Sequence, residues 1–180
     1  MMKKTVNAFD YASEVCKALP KGILMTTKNG DFVNTMVIGW GHIGIEWGRP
    51  IFVAYVRESR HTKEMVENHG EFTINVPVGA IDSEIIKICG TKSGRDMDKI
   101  KELGLHLVDS NVVDVPGIKE FPLTIECKVI YKQKQDLSAI PADILARYYP
   151  EVPGADFAGE TRDFHYAYYG EIVGAYLIEE

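Results

Sequence analysis

The sequence predicts a mainly β protein with short helices, arranged as an antiparallel barrel or sandwich with the helices at its ends. Runs of apolar or alternating residues, typical of strands, outnumber the stretches with helical periodicity. The first two runs are joined by Asn29-Gly30, a strong hairpin signal, because a type I′ turn needs positive φ at both central positions. The helical stretches are few and short, which disfavours a doubly wound parallel sheet.

Composition narrows the class of protein. The chain has 180 residues, of which 46% are hydrophobic and 26% charged, and this suits a single globular domain over residues 1–180. The formal net charge of -6 argues against a broad nucleic-acid surface. The 3 cysteines are far apart, so we expect free thiols in a reducing compartment rather than a zinc site. We find neither a signal-peptide pattern nor an apolar run of the ~20 residues that cross a membrane, so a cytoplasmic location is expected.

The first half of the chain is predicted to contain two helices and four strands. Pro20 closes a helix over 10–19, and an amphipathic run up to Gly70 predicts a second helix. Polar and apolar residues alternate over 71–76, which predicts a half-buried strand. The remaining elements are strands over 22–27, 31–40 and 51–57, and a glycine-rich loop over 41–50.

The second half is predicted to contain two short helices and two long strands. Asp82 or Ser83 would cap a helix over 82–88, and Gly104 would end a helix over 96–103. The remaining elements are strands over 123–132 and 165–178, with an irregular, proline- and glycine-rich segment over 134–162 that has one or two helical turns near 142–148.

The GxGxxG pattern of dinucleotide-binding folds occurs at Gly39–Gly44. That fingerprint requires a helix that begins at the glycines. Only six residues, ending in Gly-Arg-Pro, separate Gly44 from the next strand, and no packing helix fits there. We therefore reject a Rossmann site, and we expect these glycines to allow a tight turn or the close approach of a flat ligand.

Hydroxyl and basic side chains gather where the strand over 51–57 gives way to a helix. Arg57, Ser59, Arg60 and Thr62 lie at this junction. A helix N-terminus presents unpaired N–H groups and the positive end of the helix dipole. The junction is therefore predicted to bind a phosphate group.

Three other polar stretches each have an ordinary explanation when taken alone. Asn34 and Thr35 interrupt an apolar strand, which by itself indicates an edge strand with a solvated face. The basic stretch from Lys92 to Lys99 by itself indicates a solvated loop. His165 shares one strand face with Ala167 and Tyr169, and a histidine among aromatic residues is more often structural than functional.

Five motifs occur in one order between about residues 18 and 178. They are Asn34-x-Met36 followed by Trp40, the pair His61-Thr62, the strand Phe72-x-x-Asn75-Val76, Ser93-Gly94-Arg95 followed by Asp98-Lys99, and His165 before Gly170-Glu171. In this order they resemble the flavin reductase-like family of FMN-binding split barrels, which includes the flavoredoxins. The chain departs from the family pattern by having Phe164 between Asp163 and the late histidine, and by a longer segment over 134–162.

The resemblance implies an FMN-binding split β-barrel that forms a homodimer with FMN near the subunit interface. It implies hydride transfer from NADH or NADPH to the flavin and onward delivery of electrons, as in a flavin reductase. His165 is the catalytic candidate, expected to position the nicotinamide or a proton near the flavin. The expected cofactor-binding residues are Asn34, Thr35, Met36, Val37, Ile38, Gly39, Trp40, Arg57, Ser59, Arg60, His61, Thr62, Asn75, Ser93, Gly94, Arg95, Lys99 and Tyr169.

Other functions stay open on the sequence alone. A flavoredoxin-type electron carrier would pass electrons from FMN to a redox partner protein without free-flavin reductase activity, and it needs the same site. A related barrel that oxidises a phosphorylated pyridoxine-type substrate, or a binding module without redox function, are further alternatives. His61 and Glu64 share a helix face but lack the further ligands of a metal site, so no metal is expected. Cys89 is either a reactive thiol or a buried, inert one.

Overall fold

The computed structural model describes residues 2–80, 82–150 and 163–179. The strands within these residues are β1 (Met2–Thr5), β2 (Ile23–Asn29), β3 (Phe32–Ile38), β4 (Gly41–Glu46), β5 (Arg49–Arg57), β6 (Glu71–Val76), β7 (Leu107–Val108), β8 (Gly117–Ile118), β9 (Leu123–Lys134) and β10 (His165–Glu179). The α-helices are α1 (Ala12–Ala18), α2 (His61–His69), α3 (Ser83–Thr91), α4 (Lys99–Glu102) and α5 (Ala142–Tyr148). The predicted mainly β fold with short helices is therefore confirmed.

Eight strands form one antiparallel sheet in the order β3-β2-β6-β9-β10-β5-β4, with β1 paired to β10. The two longest strands, β9 with 12 residues and β10 with 15, lie at its centre. The register between them shifts after Tyr169 and again after Ile172, and such irregularities bend a sheet. The kink expected at Gly170 or Gly174 thus occurs at both glycines.

The two ends of the sheet path follow each other directly in the chain. β3 leads into β4 through Gly39 and Trp40 alone, and β3 and β4 are not paired in the described part of the chain. The sheet is therefore open between two consecutive strands, which is compatible with the expected split β-barrel.

The first hairpin is confirmed, but its turn lies one residue further along than Asn29-Gly30 indicates. Asn29 pairs with Phe32, so the turn residues are Gly30 and Asp31. Of these two only Gly30 has positive φ, at 58°. Glycine at the first turn position is typical of type II′ rather than type I′.

The expected glycine-rich loop over 41–50 is wrong, because β4 and β5 form a second hairpin there. Its turn residues, Trp47 and Gly48, both have positive φ, at 51° and 69°, as a type I′ turn requires. A bulky residue at positive φ is uncommon, so the sequence gives little sign of this turn. The strand that follows Gly39 also confirms that no dinucleotide fingerprint is present.

Helices α2, α3 and α4 pack against β2 and β3 at one end of the sheet. Asp82 caps α3 by accepting from Glu84 N at 2.8 Å, as predicted, whereas the helix expected over 96–103 is shortened to α4. Because these helices cover β3, Asn34 and Thr35 are buried. The interpretation of β3 as an edge strand with a solvated face is therefore wrong, although β3 does lie at the edge.

The main core lies inside the curved sheet and includes Phe52, Phe72, Ile74, Ile125 and Tyr168. A second apolar cluster beneath α3 and α4 joins them to β2 and contains Leu24, Ile85, Cys89, Leu105, Ile118 and Phe121. None of the helices in the described segments combines the length and apolarity needed to cross a bilayer.

Candidate functional site

A cavity of about 280 Å³, here called the basic cavity, opens where β3, the start of α2 and the connection from α3 to α4 meet. Its lining contains residues of the basic junction that precedes β6 and of the basic loop that follows it. The lining residues are Asn34, Met36, Val37, Ser59, Arg60, His61, Thr62, Cys89, Gly90, Lys92, Ser93, Gly94, Arg95, Asp96 and Lys99. The basic junction and the basic loop therefore face one common space.

A buried hydrogen bond attaches β3 to the first turn of α2. Asn34 donates from Nδ2 to Thr62 Oγ1 at 3.0 Å, and both side chains are buried. Arg60 is the N-cap residue, and no side chain caps the helix there. His61 and Thr62, the first two residues of α2, line the cavity, so an anion there could accept from their N–H groups.

The loop before α4 approaches β3 and α2 closely at Gly94. A Cβ at this position would overlap the side-chain oxygen of Asn34 and would lie 3.2 Å from His61 Cδ2. Ser93 Oγ accepts from Arg95 N at 3.1 Å and tightens the same loop. The Ser-Gly-Arg motif needs glycine because of this contact.

Two cations of the basic cavity are substantially withdrawn from water. Lys99 is 3% exposed, and its Nζ donates to Lys92 O at 3.2 Å. Burial lowers the pKa of Lys99 to about 8, and the nearby charge of Arg60 adds to this effect. Burial, with the charge of Arg57, also lowers the pKa of Arg60. An anion in the cavity would restore favourable electrostatics to both groups.

A third cation, Arg95, is already paired with a carboxylate. Its Nη2 donates to Glu64 Oε1 at 2.6 Å, and this hydrogen bond, with another from His61, lowers the pKa of Glu64. His61 and Glu64, the pair that the sequence suggests as possible metal ligands, are in contact, with His61 Nδ1 3.3 Å from Glu64 Oε2. Across the residues with described positions, no group of three or more His, Cys, Asp or Glu side chains is placed to hold a metal ion.

Cys89 lies in the wall of the basic cavity but is buried. Burial raises the pKa of its thiol to about 11, although the charge of Lys99 acts in the opposite direction. At neutral pH the side chain is a protonated thiol, and a thiol is a poor nucleophile. The inert alternative is the one that the environment favours.

A second cavity of about 150 Å³, here called the aromatic cavity, adjoins the basic one. Met36, Val37 and Arg60 belong to the walls of both cavities. The ring centroids of Trp40 and His165 are 4.6 Å apart in its wall. Its lining residues are Met36, Val37, Ile38, Gly39, Trp40, Tyr55, Arg57, Arg60 and His165.

Arg57 and His165 lie opposite each other on the paired strands β5 and β10. The Arg57 guanidinium donates to the carbonyl oxygens of Asp163 at 3.0 Å and Tyr148 at 3.3 Å. His165 is buried, and burial lowers its pKa to about 3, with the charges of Arg57 and Arg60 acting in the same direction. His165 is therefore uncharged at neutral pH, which suits a positioning role better than proton donation.

A third and more open cavity of about 490 Å³, here called the apolar cavity, shares Gly39, Trp40 and Tyr55 with the aromatic one. Its lining residues are Cys16, Leu19, Pro20, Gly39, Trp40, Gly41, Tyr55 and Gln135. Mostly apolar walls with a single carboxamide suit a flat organic molecule.

Sixteen of the predicted site residues line the basic or the aromatic cavity. They are Asn34, Met36, Val37, Ile38, Gly39, Trp40, Arg57, Ser59, Arg60, His61, Thr62, Ser93, Gly94, Arg95, Lys99 and His165. Arg57 lines the aromatic cavity and not the basic one, whereas the sequence predicted it among the residues that bind the phosphate. Ser59 points its hydroxyl to the Asp163 carboxylate, which also accepts from Ser59 N at 3.0 Å.

Three predicted residues lie elsewhere in the fold. Thr35 is fully buried and accepts from Thr26 Oγ1 at 3.1 Å. Asn75 is also fully buried, donates to Thr26 Oγ1 at 2.9 Å and accepts from Ile118 N at 2.9 Å, so its amide ties β6 to β2 and β8. Tyr169 packs against Tyr131 with ring centroids 5.1 Å apart, further along β10 than His165.

The predicted set does not include the cavity-lining residues Tyr55, Lys92 and Gln135, nor Tyr149, whose hydroxyl lies 2.6 Å from His165 Nδ1. Lys92 belongs to the basic loop that was singled out, and its composition is the signal that finds it. Gln135 and Tyr149 lie in the irregular segment over 134–162, where no periodicity indicates which side chains turn inward.

The chain matches the family model described as "Flavin reductase like domain" over residues 18–180. An uncharacterized protein of Archaeoglobus fulgidus is 32% identical over 130 residues, which are 72% of this chain and 69% of that protein. The flavoredoxin of Desulfovibrio vulgaris (Miyazaki F) superposes with a TM-score of 0.63 at 24% identity, covering 88% of this chain and 69% of that one. An FMN-binding domain of a flavin reductases-like enzyme from Shewanella baltica OS155 superposes with a TM-score of 0.64 at 18% identity, covering 98% and 77%.

Proposed function

The chain belongs to the flavin reductase-like domain family, and from this premise we propose that it is an FMN-binding oxidoreductase that takes electrons from NADH or NADPH and delivers them to an acceptor. One observation carries the proposal: the basic and aromatic cavities adjoin along Met36, Val37 and Arg60. A ligand with an anionic end and a flat aromatic end would occupy both, and FMN has this form.

The residues of the basic cavity fit a phosphate group. A phosphate monoester carries close to two negative charges at neutral pH. Arg60, Lys92 and Lys99 supply positive charge, and the uncapped N-terminus of α2 supplies N–H donors. Gly94 leaves room where a Cβ would strike Asn34. These groups would hold the phosphate and the adjoining ribityl chain.

The aromatic cavity and the edge of β3 fit the flavin ring. Within the described residues β3 pairs with β2 alone, so the backbone groups on its other edge are available to the polar rim of the ring. Trp40 and His165 supply flat, uncharged walls. When bound, FMN supplies the hydride and electron chemistry, and the protein binds and orients it and excludes water.

We also propose that a second copy of the chain covers an exposed aromatic surface at the tip of the β4–β5 hairpin. Trp47 is 59% exposed at the tip of the β4–β5 hairpin, and it packs on Tyr131 and Tyr169 with ring centroids 5.7 Å and 6.2 Å away. Ile45, also on the hairpin, is exposed as well. An exposed cluster of this kind is typical of a protein–protein interface.

The homodimer proposal is tested by sedimentation velocity. Trp47→Lys should convert the dimer to a monomer, because it places a charge at the centre of the apolar surface. Val78→Lys is the control, since Val78 is similarly exposed but lies outside the hairpin. A wild-type protein that sediments as a monomer, or a Trp47→Lys dimer, would contradict the proposal.

The proposed function is tested by visible absorption of the purified protein with FMN and then with NADH or NADPH without oxygen. A bound-flavin band that bleaches with either nucleotide supports a reductase and identifies its donor. A band that bleaches only with dithionite supports the electron carrier with a redox partner protein, an alternative favoured by the likeness to flavoredoxin. No uptake of FMN at micromolar concentration would refute both. The free state of Cys16, Cys89 and Cys127 agrees with the cytoplasmic location that forms part of the proposal.

A further inference from the structure

A short chain of hydrogen bonds lies behind His165. Tyr149 follows α5 and is buried, and its hydroxyl lies 2.6 Å from His165 Nδ1. The same hydroxyl donates to Gln135 Oε1 at 2.8 Å. Gln135 N in turn donates to His165 O at 3.0 Å, and this backbone hydrogen bond holds Gln135 and His165 next to each other.

The direction of these bonds determines the tautomer of His165. A tyrosine hydroxyl has one hydrogen, and here it is donated to Gln135 Oε1. The short contact to His165 is then a hydrogen bond only if Nδ1 carries the hydrogen and donates to the hydroxyl oxygen. Because burial lowers the pKa of His165 to about 3, the ring holds a single proton at neutral pH. Its Nε2 atom is therefore an acceptor.

We propose that Tyr149 and Gln135 are positioning residues that fix His165 in the Nδ1–H tautomer and so make its Nε2 a permanent hydrogen-bond acceptor in the wall of the aromatic cavity. Tyr149 covers the Nδ1 edge, so the opposite edge of the ring is the one that can face the cavity. The ligand group that Nε2 recognises is a hydrogen-bond donor, an N–H or an O–H.

Arg57 supplies the complementary group. It is the cross-strand partner of His165 and lines the same aromatic cavity, and two carbonyl oxygens hold its guanidinium there. A neighbouring acceptor and cation match a ligand edge that carries an N–H next to a carbonyl, as in a cyclic imide or a primary carboxamide. Under the function proposed above, on which this step rests, the flavin ring and the nicotinamide each carry such an edge.

The tautomer is measured in the protein without flavin, by long-range ¹H–¹⁵N correlation of ¹⁵N-histidine-labelled protein at pH 8, with His165→Gln to assign the signals. The wild type should have a protonated Nδ1 and a bare Nε2. Gln135→Leu should reverse this, because the Tyr149 hydrogen then turns to Nδ1. Gln133→Leu is the control, since Gln133 is exposed two residues away on β9 and should leave the tautomer unchanged. An Nε2–H wild type, or a Gln135→Leu protein with unchanged signals, would overturn the proposal.

Binding experiments with the same variants identify the ligand edge. If Nε2 accepts from the flavin, FMN affinity falls about tenfold in Gln135→Leu relative to Gln133→Leu, the effect of one hydrogen bond. If it accepts from the nicotinamide, FMN affinity is kept and the rate of reduction by NADH or NADPH falls by a similar factor. A reversed tautomer with neither change would refute the acceptor role and leave the proposed function intact. A protein that binds no FMN would refute the proposed function, while the tautomer measurement still decides whether Tyr149 positions His165.

Discussion

Lys99 is expected to make FMN binding depend on pH between 7 and 9. Its ammonium group lies in the wall of the basic cavity, is 3% exposed, and has a pKa lowered to about 8. If only the charged form binds phosphate, the apparent dissociation constant scales as 1 + 10^(pH − pKa), which is about 1.1 at pH 7 and about 11 at pH 9. Binding should therefore weaken about tenfold over this range, a loss of about 1.4 kcal/mol.

The FMN phosphate, the Cys89 thiol and the Arg60 guanidinium keep their charge states over the same pH range. The second pKa of a phosphate monoester is near 6, so FMN is already close to its dianionic form at pH 7. Burial raises the pKa of the Cys89 thiol to about 11, so it stays protonated at pH 9. Burial lowers the pKa of Arg60, but arginine starts from a far higher pKa than lysine and is effectively always protonated. Rising pH therefore removes one positive charge, that of Lys99.

The assay is a titration of flavin fluorescence at pH 7, 8 and 9. Lys99→Arg keeps a permanent charge, so the ratio of dissociation constants between pH 9 and pH 7 should fall to near one. Lys92→Gln is the matched control: this exposed lysine lines the same cavity, and its loss should weaken binding while leaving the tenfold ratio. Riboflavin, which has no phosphate, should bind with no such dependence. A tenfold ratio that persists with riboflavin or in Lys99→Arg would refute the reasoning, as would a wild-type ratio below about two.

Three other perturbations test the packing around the site and the core. Gly94→Ala should weaken FMN binding at least tenfold, about one hydrogen bond, by displacing Asn34, whereas Gly90→Ala, whose Cβ would lie 3.6 Å from Val37, should be tolerated in the same titration. The pKa of His165 is lowered to about 3, so below about pH 6.5 the unfolded chain binds more protons than the folded one. The free energy of unfolding in urea should therefore fall by about 1 kcal/mol between pH 7 and pH 5.5, and His165→Asn should remove this fall. Glu126, fully buried, accepts from Asn111 N and from Val112 N at 3.2 Å, so Glu126→Gln should cost about 1–3 kcal/mol in the same unfolding experiment, while the exposed Glu46→Gln should change little.

The strand–helix junction could be singled out because its signal is local, whereas the basic loop by itself indicated only a solvated loop. Hydroxyl and basic side chains next to the start of a helix indicate an anion-binding site. The cap of α3 by Asp82 likewise depends only on residues close in sequence. The five ordered motifs then indicated that the two basic stretches belong to one site. Their meeting in the basic cavity joins residues far apart in the sequence, and the family resemblance rather than any local signal predicted it.

The errors arose where long-range packing determines the environment. Asn75 belongs to a site-like motif, but β8 lies over it, and its amide is hydrogen-bonded to Thr26 and Ile118 on the face of β6 that points away from the main core. The sequence predicts that Thr35 is exposed, but α3 and α4 pack over β3 and Thr35 is buried. Trp47 occupies a positive-φ turn position that glycine, asparagine or aspartate normally takes, so packing on Tyr131 and Tyr169 has overridden local preference.

Burial gives different charge states to His165 in the aromatic cavity and to Lys99 in the basic cavity. The same withdrawal from water lowers the pKa of His165 to about 3 and that of Lys99 to about 8. Imidazole starts near 6.5 and loses its charge at neutral pH, whereas the ammonium group starts near 10.4 and keeps most of it. One physical cause therefore gives an uncharged wall where a flavin ring would lie and a cationic wall where its phosphate would lie. The proposed assignment of a ring end and a phosphate end therefore rests on residue type and burial together.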